Sequence, residues 1–457
     1  MERVLPKTLN YQDVLPLAVE SRARRRTFFP INGQSFTATG ANIIRIDLSA
    51  DALLDTQHSY LRFQFTNDAA KTCGFDYAGG HAFIRRLRIE QSGVVLEDIN
   101  SYNRLMGTVV LPCQSSDEHH QERAVTEGID AGRGGNTLAT NGATIANLNG
   151  ITAMRALGFA NASAGQVAAG GVMNVCIPLN SGILNNEKLI PLMLMSAPLT
   201  IEIELAPLSQ PVCFEDAAAT NYTISNVRYI ANLIEVGQDV SGQLRMLQEV
   251  SGGVLTLAGQ TYRHFTGAIT ATTGDQIINV PARVKSMKSL FFASQRAGGD
   301  IQNGYCVGTS GNMKLNEYQL KIGSVVYPPT PVRVGFGAGA VADVAPNRAE
   351  PLYELSKAWG SVGSTKGMGQ LSAQTYGVAE DGTQGSSEVL SLTPFGLDME
   401  AFQRVAIESG VNTADRSLPI SLILNYANAP TATNVDVFVL ADALFYLNAD
   451  GSMSVSV

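Results

Sequence analysis

Two-residue alternation of apolar and polar side chains recurs along most of this chain and limits what it can fold into. In Asn42–Leu48 the residues Ile44, Ile46 and Leu48 share one face; in Ser59–Thr66 Leu61, Phe63 and Phe65 do the same. A period of two, rich in β-branched and aromatic residues, marks half-buried strands. The pattern continues at His81–Glu90 and Val94–Ile99, joined by the turn Gln91-Ser-Gly93, which predicts a hairpin. Further strands are expected at Val172–Ile177, Leu199–Leu205 and Tyr222–Val236. The link Ser49–Asp55 reads as a turn, and Asn100–Val110 as a short helix.

Gly237–Val250 breaks the alternation. Val240, Leu244 and Leu247 fall on one helical face, so this stretch reads as a helical spacer. After it the strand pattern starts again, at Gly253–Leu257, Thr261–Thr270, Asp275–Val280, Ser286–Ala293, Asn316–Ile322 and Ser324–Tyr327. It closes with Glu388–Leu392, Ser417–Tyr426 and Val435–Leu447. A helical stretch near Glu350–Trp359 interrupts it. The expected organisation is an arm at 1–27, a β unit at 28–236, a linker helix at 237–250 and a second β unit at 251–457. Each unit carries a long insertion, about 112–171 and about 328–385, where Gly, Ala, Ser and Asn dilute the periodicity. At about 150 residues per domain, 457 residues suggest two to four domains, and large β units reduce that to two. The class is all-β, built of sandwiches or barrels with a few short helices.

Charge adds a second constraint. Charged residues are 16% of the chain against a usual share of about 25%, while hydrophobic residues are 45%. This excludes intrinsic disorder and predicts an uncharged surface that meets many neighbours. Net charge is −8, which excludes general nucleic-acid binding over the whole surface. Residues 1–30 nevertheless hold six Lys/Arg against three acids, with Arg22, Arg24, Arg25 and Arg26 as the core of the cluster. Those four are the candidate contact residues for an anionic surface, either phospholipid headgroups or packaged nucleic acid. The competing reading is a solvated arm, or one paired with acids of a neighbouring subunit. Tyr11–Glu20 suits a short helix, limited by Pro16.

The search for chemistry yields little. Gly335–Ala340 has the spacing GxGxG without a βαβ context, so it reads as a loop and not as a nucleotide fingerprint. Glu202 and Glu204 lie two apart on a strand, as on a solvated or interface face; Asp117-Glu118 and Ser115-Ser116 near His119-His120 read as loop neighbours. The five cysteines, Cys73, Cys113, Cys176, Cys213 and Cys306, form no CxxC and suggest free thiols in a reducing compartment. Asn161 and Asn221 match the N-glycosylation pattern, which reads as chance with no secretory signal visible. Leu189–Leu205, the longest greasy stretch, is broken by Pro191, Pro198, Glu202 and Glu204 and reads as buried strands or a turn plus a strand. No transmembrane helix, metal site, cofactor site or catalytic constellation is expected.

Several segments together carry a resemblance: SYLRFQF after LLD, FIRRLRIEQSGVVLEDINSYNRL, IPLNSGIL before LIPLMLMSAPLTIEIEL, EYQLKIGSVVYPPTPV, and the closing DVFVLADALFYL. In order and spacing they resemble double jelly-roll major capsid proteins of the adenovirus-like DNA virus lineage, in the flavour of Polinton-like and large eukaryotic DNA viruses. The resemblance spans most of residues 28–447 and fails in the two insertions. It implies two consecutive eight-stranded antiparallel jelly rolls standing upright in an icosahedral shell. It also implies homotrimers that form pseudo-hexagonal capsomers and loops that build outer towers. The basic arm would lie at the inner face, near a membrane or the genome. Implied partners are the chain itself, neighbouring capsomers, penton and minor capsid proteins. The implied location is the virion, assembled in the host cell, and the implied role is structural, not enzymatic.

Three other readings stay open at this point. One is a membrane-scaffolding protein of virus assembly with the same architecture. Another is a jelly-roll carbohydrate-binding or glycoside-cleaving protein, against which the single Trp359 weighs. The last is an attachment spike, which a basic inner arm fits less well.

Overall fold

In a computed structural model, the described residues are 21–68, 73–114, 122–123, 125–127, 167, 170–208, 210–214, 222–297, 307–308, 310–335, 347–362, 371, 376, 392–401, 410–430 and 432–457. The strands of the first half are β1 (Ser21–Phe28), β2 (Ser35–Thr37), β3 (Ile43–Leu48), β4 (Leu53–Asn67), β5 (Cys73–Phe75), β6 (Ile84–Gln91), β7 (Val94–Asn100), β8 (Val172–Ile177), β9 (Ile190–Pro191), β10 (Leu199–Leu205), β11 (Val212–Phe214) and β12 (Tyr222–Val236). Those of the second half are β13 (Val254–Ile269), β14 (Gly274–Asn279), β15 (Met287–Arg296), β16 (Glu317–Ile322), β17 (Val325–Arg333), β18 (Phe395–Asp398), β19 (Ile420–Tyr426), β20 (Thr433–Asn448) and β21 (Met453–Ser456).

Pairing order identifies the architecture. In the second half one sheet runs β13-β20-β15-β18 and the other β14-β19-β16-β17. Numbered along the chain from β13, those orders are 1-8-3-6 and 2-7-4-5, the double Greek key of a jelly roll. The first half repeats it, with β1-β12-β4-β8 in one sheet and β3-β10-β6-β7 in the other. Small strands decorate this plan: β2 and β9 extend the first sheet, β5 and β11 pair with each other, and β21 flanks β20. The fold is a double jelly roll, and all the ladders are antiparallel.

Several boundaries differ from the sequence reading. Ser21–Thr27, expected within a basic arm at 1–27, form with Phe28 the first strand of the first jelly roll, every residue from Ser21 to Phe28 being in register with β12. Its backbone bonds to only one neighbour and its side chains stay exposed up to Arg26. An edge strand of this kind has no buried face, so it lacks the alternation by which strands are read. β4 begins at Leu53, inside the expected turn. The expected strand from His81 opens with the 3-10 turn Gly79–Phe83. Leu189–Leu205 resolves into β9, the 3-10 turn Leu192–Leu194 and β10. The helix expected at Asn100–Val110 is a helical run from Tyr102 to Gln114 with a π-helical centre, Met106–Val110. Helices Gln238–Val250 and Ala349–Trp359 stand where periodicity placed them. The second insertion, expected from about 328, begins with β17 continuing to Arg333. Tyr11–Glu20, His119, His120, Ser115–Glu118, Asn161, Asn221 and Cys306 lie outside the described residues.

Register also orients the two rolls. Ser21 opposite Val236, Leu53 opposite Ile234 and Val254 opposite Asn448 gather at one end, here the base. Asn67 opposite Tyr222, Thr66 opposite Val172, and Ile269 and Arg296 opposite Thr433 gather at the other, the crown. Both long connections, β7 to β8 and β17 to β18, therefore leave and return at the crown.

Each roll has its own aromatic nucleus. Phe65 and Phe83 centre the first, their rings 5.4 Å apart, with Phe63, Phe75 and Tyr222 around them. Phe292, Phe395 and Tyr318 centre the second. Between the rolls lies a third apolar layer. In β20, Val437, Val439 and Ala441 fill the second roll's own core, whereas Phe438, Leu440, Ala443 and Phe445 join the core of the first. β15 repeats the division, with Leu290 and Phe292 turned one way and Phe291 the other. A sheet buried on both faces joins the two rolls.

Backbone contact closes the joint. A Cβ at Gly182 would stand 2.4 Å from the Gln260 carbonyl oxygen, and one at Gly259 would stand 2.7 Å from the Gly182 oxygen. Gly182→Val is therefore expected to lower the thermal midpoint by several degrees, because backbone cannot yield as a flexible side chain does. Gly242→Ala, in open space on the exposed linker helix, should be neutral or raise stability by about 0.5–1 kcal/mol. Calorimetry of both variants checks the pair.

Candidate assembly surfaces

The junction between the rolls is stitched by buried polar groups as well as apolar area. At the crown, the Asp76 carboxylate accepts from Val307 N at 3.0 Å, Gly308 N at 2.9 Å and Ala78 N at 3.0 Å. Arg104, on the helical run, donates to the Val307 carbonyl at 2.8 Å and to Asp436 Oδ2 at 3.0 Å. His264 Nε2 meets the other Asp436 oxygen at 2.9 Å. Burial pushes the Asp436 carboxyl up, but the Arg104 charge and the His264 hydrogen bond outweigh it and hold the group below its usual range. Lower down, burial raises Glu97, while hydrogen bonds from Gly182 N (3.0 Å) and neighbouring groups draw it part of the way back. Glu97 thus fixes the glycine that touches Gln260. At the base, Gln91 donates to Gly451 O at 3.0 Å and accepts from Met453 N at 2.6 Å. These groups need their partners, since an unmatched polar group costs more inside than a matched one gains.

The outer surfaces differ from the junction. Five sheet edges carry exposed branched residues: Ile43 on β3, Val94 and Val95 on β7, Val172 on β8, Ile277 on β14 and Val325 on β17. An uncovered strand edge with apolar side chains invites pairing with another chain. Along β10, Glu202 sits between Arg45 (2.8 Å) and Arg88 (3.7 Å) on the flanking strands, and Glu204 meets Arg85 at 3.5 Å. The two glutamates expected to face a solvated or interface side are acids in a cross-strand charge ladder. Of Gly335–Ala340, only Gly335 is among the described residues; it is a left-handed turn residue after β17.

The four arginines lie on β1, beside the base. Arg22, Arg24 and Arg26 share one face of the strand and Arg25 the other, by the two-residue period. Arg24 pairs with Glu235 at 2.6 Å, Arg25 donates to the Tyr60 hydroxyl at 3.1 Å, and Arg26 lies 4.9 Å from the centre of the Phe28 ring. The Arg24 pair is exposed and worth at most about 1 kcal/mol. The strand thus presents its cationic row to solvent near the end opposite the long connections.

The residues that join the rolls, Asp76, Gln91, Arg104 and Asp436, belong to no motif. For Asp436 the signal is the closing run VDVFVLADALFYL, apolar at consecutive positions where a half-buried strand would alternate. An Asp embedded in such a run calls for a buried partner.

No protein-family model matches the chain, and no curated protein matches it. Solved structures do. The PBCV-1 virus capsid matches at 10% identity with a TM-score of 0.58, covering 98% of this chain and 99% of that one. The Faustovirus major capsid protein matches at 9% identity and 0.57, covering 94% and 91%. The mavirus major capsid protein matches at 10% identity and 0.52, covering 100% and 96%. Full-length matching at such low identity is a likeness of fold, and its coverage takes in both jelly rolls.

The Arg104–Asp436 pair yields a prediction with a definite sign. A carboxylate held low in the folded state contributes stability above its unfolded pKa and loses it as pH falls through the folded value. Acid unfolding of the native chain should therefore steepen below about pH 4. Asp436→Asn should flatten that limb and, near neutrality, cost about 3–5 kcal/mol by removing the buried carboxylate that Arg104 and His264 both meet. Denaturant titrations across pH 2–8 check both.

Proposed function

We propose that the chain is a major capsid protein whose homotrimers form pseudo-hexagonal capsomers tiling an icosahedral virion. The supporting observation is the close pairing of two jelly rolls across a buried layer, same end up, with both long connections leaving from the crown. Three such pairs side by side give six similar upright units around one axis. The apolar edges at Ile43, Val94, Val172, Ile277 and Val325 suit flank-to-flank contact. Low overall charge suits it too, because many weak neighbour contacts need little electrostatic repulsion to overcome. The likeness to the capsid proteins above supports the same reading. The crown connections then face outward, the base faces inward, and neighbouring capsomers, penton and minor capsid proteins meet the flanks and base. Among the described residues, no observation favours a membrane-scaffolding or carbohydrate-binding role.

Trimer interfaces of this kind bury more than the roughly 1,600 Å² of a standard complex and are obligate. Size-exclusion chromatography with light scattering should give a stable trimer, and negative-stain images a pseudo-hexagonal outline. A monodisperse monomer at micromolar concentration would overturn the reading.

In the same frame, Arg22, Arg24, Arg25 and Arg26 contact an anionic, phosphate-bearing surface beneath the shell. Replacing all four by Gln should abolish salt-sensitive binding to vesicles containing phosphatidylserine, or to duplex DNA, while trimers persist. Unchanged binding to both would remove the arginines from this role.

A further inference from the structure

At the base a groove of about 760 Å³ opens between the linker helix and the joined rolls. Leu244 and Leu247 line it from the helix, Leu53 and Leu189 from the first roll, and Leu255 and Leu447 from the second. Among the described residues its only charged lining residue is Lys188. The helix beside it is poorly covered: Met246 is 67% exposed, Leu247 54% and Val250 86%. Leu247 is one of the three residues that define the helix's apolar stripe in the sequence, so that stripe is left partly unpartnered.

Something on the chain is placed to cover it. β1 begins at Ser21, which lies opposite Val236, and Val236 precedes Gly237, the N-cap of the linker helix. Residues 1–20 therefore join the described structure beside the helix that walls the groove. Leu53 is opposite Ile234, which is opposite Ala23, so the groove's rim is two strands away from β1. That is about 10 Å at the usual strand spacing. The ten residues Tyr11–Glu20 can span up to about 35 Å. Their sequence, YQDVLPLAVE, offers Val14, Leu15, Leu17 and Val19, and carries two acids and no base. Apolar side chains with net negative charge complement an apolar groove with one lysine.

We propose that residues 11–20 of the same chain dock into this groove, covering the linker helix and bracing the first roll against the second at the base. The inference concerns contacts within one chain and holds whether or not that chain builds a shell. Burial of Leu247 and Leu15 against each other's surroundings would add to the joint on the side away from the Asp76 and Arg104 stitches.

Hydrogen exchange read by mass spectrometry tests it. In the full chain, amides of residues 244–257 should exchange at least several-fold more slowly than in a variant lacking residues 1–20. A synthetic peptide of residues 1–20 added to that variant should restore the protection. Leu15→Asp with Leu17→Asp in the full chain should reproduce the loss without deletion, and circular dichroism should show that the fold persists. Equal exchange with and without residues 1–20 would overturn the proposal. A cysteine pair, Leu17→Cys with Leu247→Cys, oxidised at low protein concentration, should cross-link within one chain. Cross-linked dimers alone would show that a second copy occupies the groove, which would also overturn it.

Discussion

Burial of one sheet on both faces holds this molecule together. β20 and β15 turn alternate residues into the second roll's core and into the layer shared with the first, so neither roll can be completed without deciding where the other sits. A jelly roll alone has two solvent-facing sheet surfaces and needs no neighbour. Here Phe438, Leu440, Phe445 and Phe291 would stand in water if the rolls separated. Each such side chain represents about 1.5–3 kcal/mol of transfer free energy. The apolar layer supplies strength but little direction. Direction comes from Asp76, Arg104 with Asp436, Glu97 with Thr261, and Gln91, whose hydrogen bonds are satisfied in one relative placement. The two kinds of contact divide the work between attraction and registry.

That rigidity links the fold to the proposed role. A capsomer made of two units per chain keeps near six-fold symmetry only if the angle between them is the same in every copy. A flexible linker could not ensure this. The helix Gln238–Val250 spans the gap but makes few contacts of its own, so the angle is set by the sheets it connects and not by the linker. Lateral contacts on the apolar edges can then be individually weak, because each copy presents them in the same geometry.

The sequence disclosed the architecture unevenly, for physical reasons. Strands with one buried face, such as Ile43–Leu48 and Ile420–Tyr426, were legible because burial imposes a period of two. Edge strand β1 was not, because a ladder needs only backbone, and Arg22–Arg26 tells nothing of where that backbone bonds. β20 was recognised as a strand, but the meaning of its unbroken apolar run, that both faces are covered, emerges only with the partner sheet in place. The arginine cluster is legible in the sequence, since charge density is local. Its setting on a paired strand beside Glu235 and Tyr60 was not, since those residues are 211 and 35 positions away from Arg24 and Arg25. The likeness in segment order to double jelly-roll capsid proteins did supply the doubled topology, which the pairing orders then displayed.

Placing both long connections at the crown has an energetic corollary for how such a chain can vary. The path from Asn100 to Val172 and the path from Arg333 to Phe395 start and finish on strands already fixed by their sheets. Closing a loop between fixed ends becomes harder only logarithmically with its length, by about 0.6 kcal/mol per doubling. Outside the buried helical run Tyr102–Gln114, which carries Arg104, and the helix Ala349–Trp359, residues can therefore be gained, lost or exchanged on these paths at small thermodynamic cost. The crown can thus vary in size and chemistry while the sheet edges and the joint stay under packing control, so the two ends of the molecule answer to separate pressures.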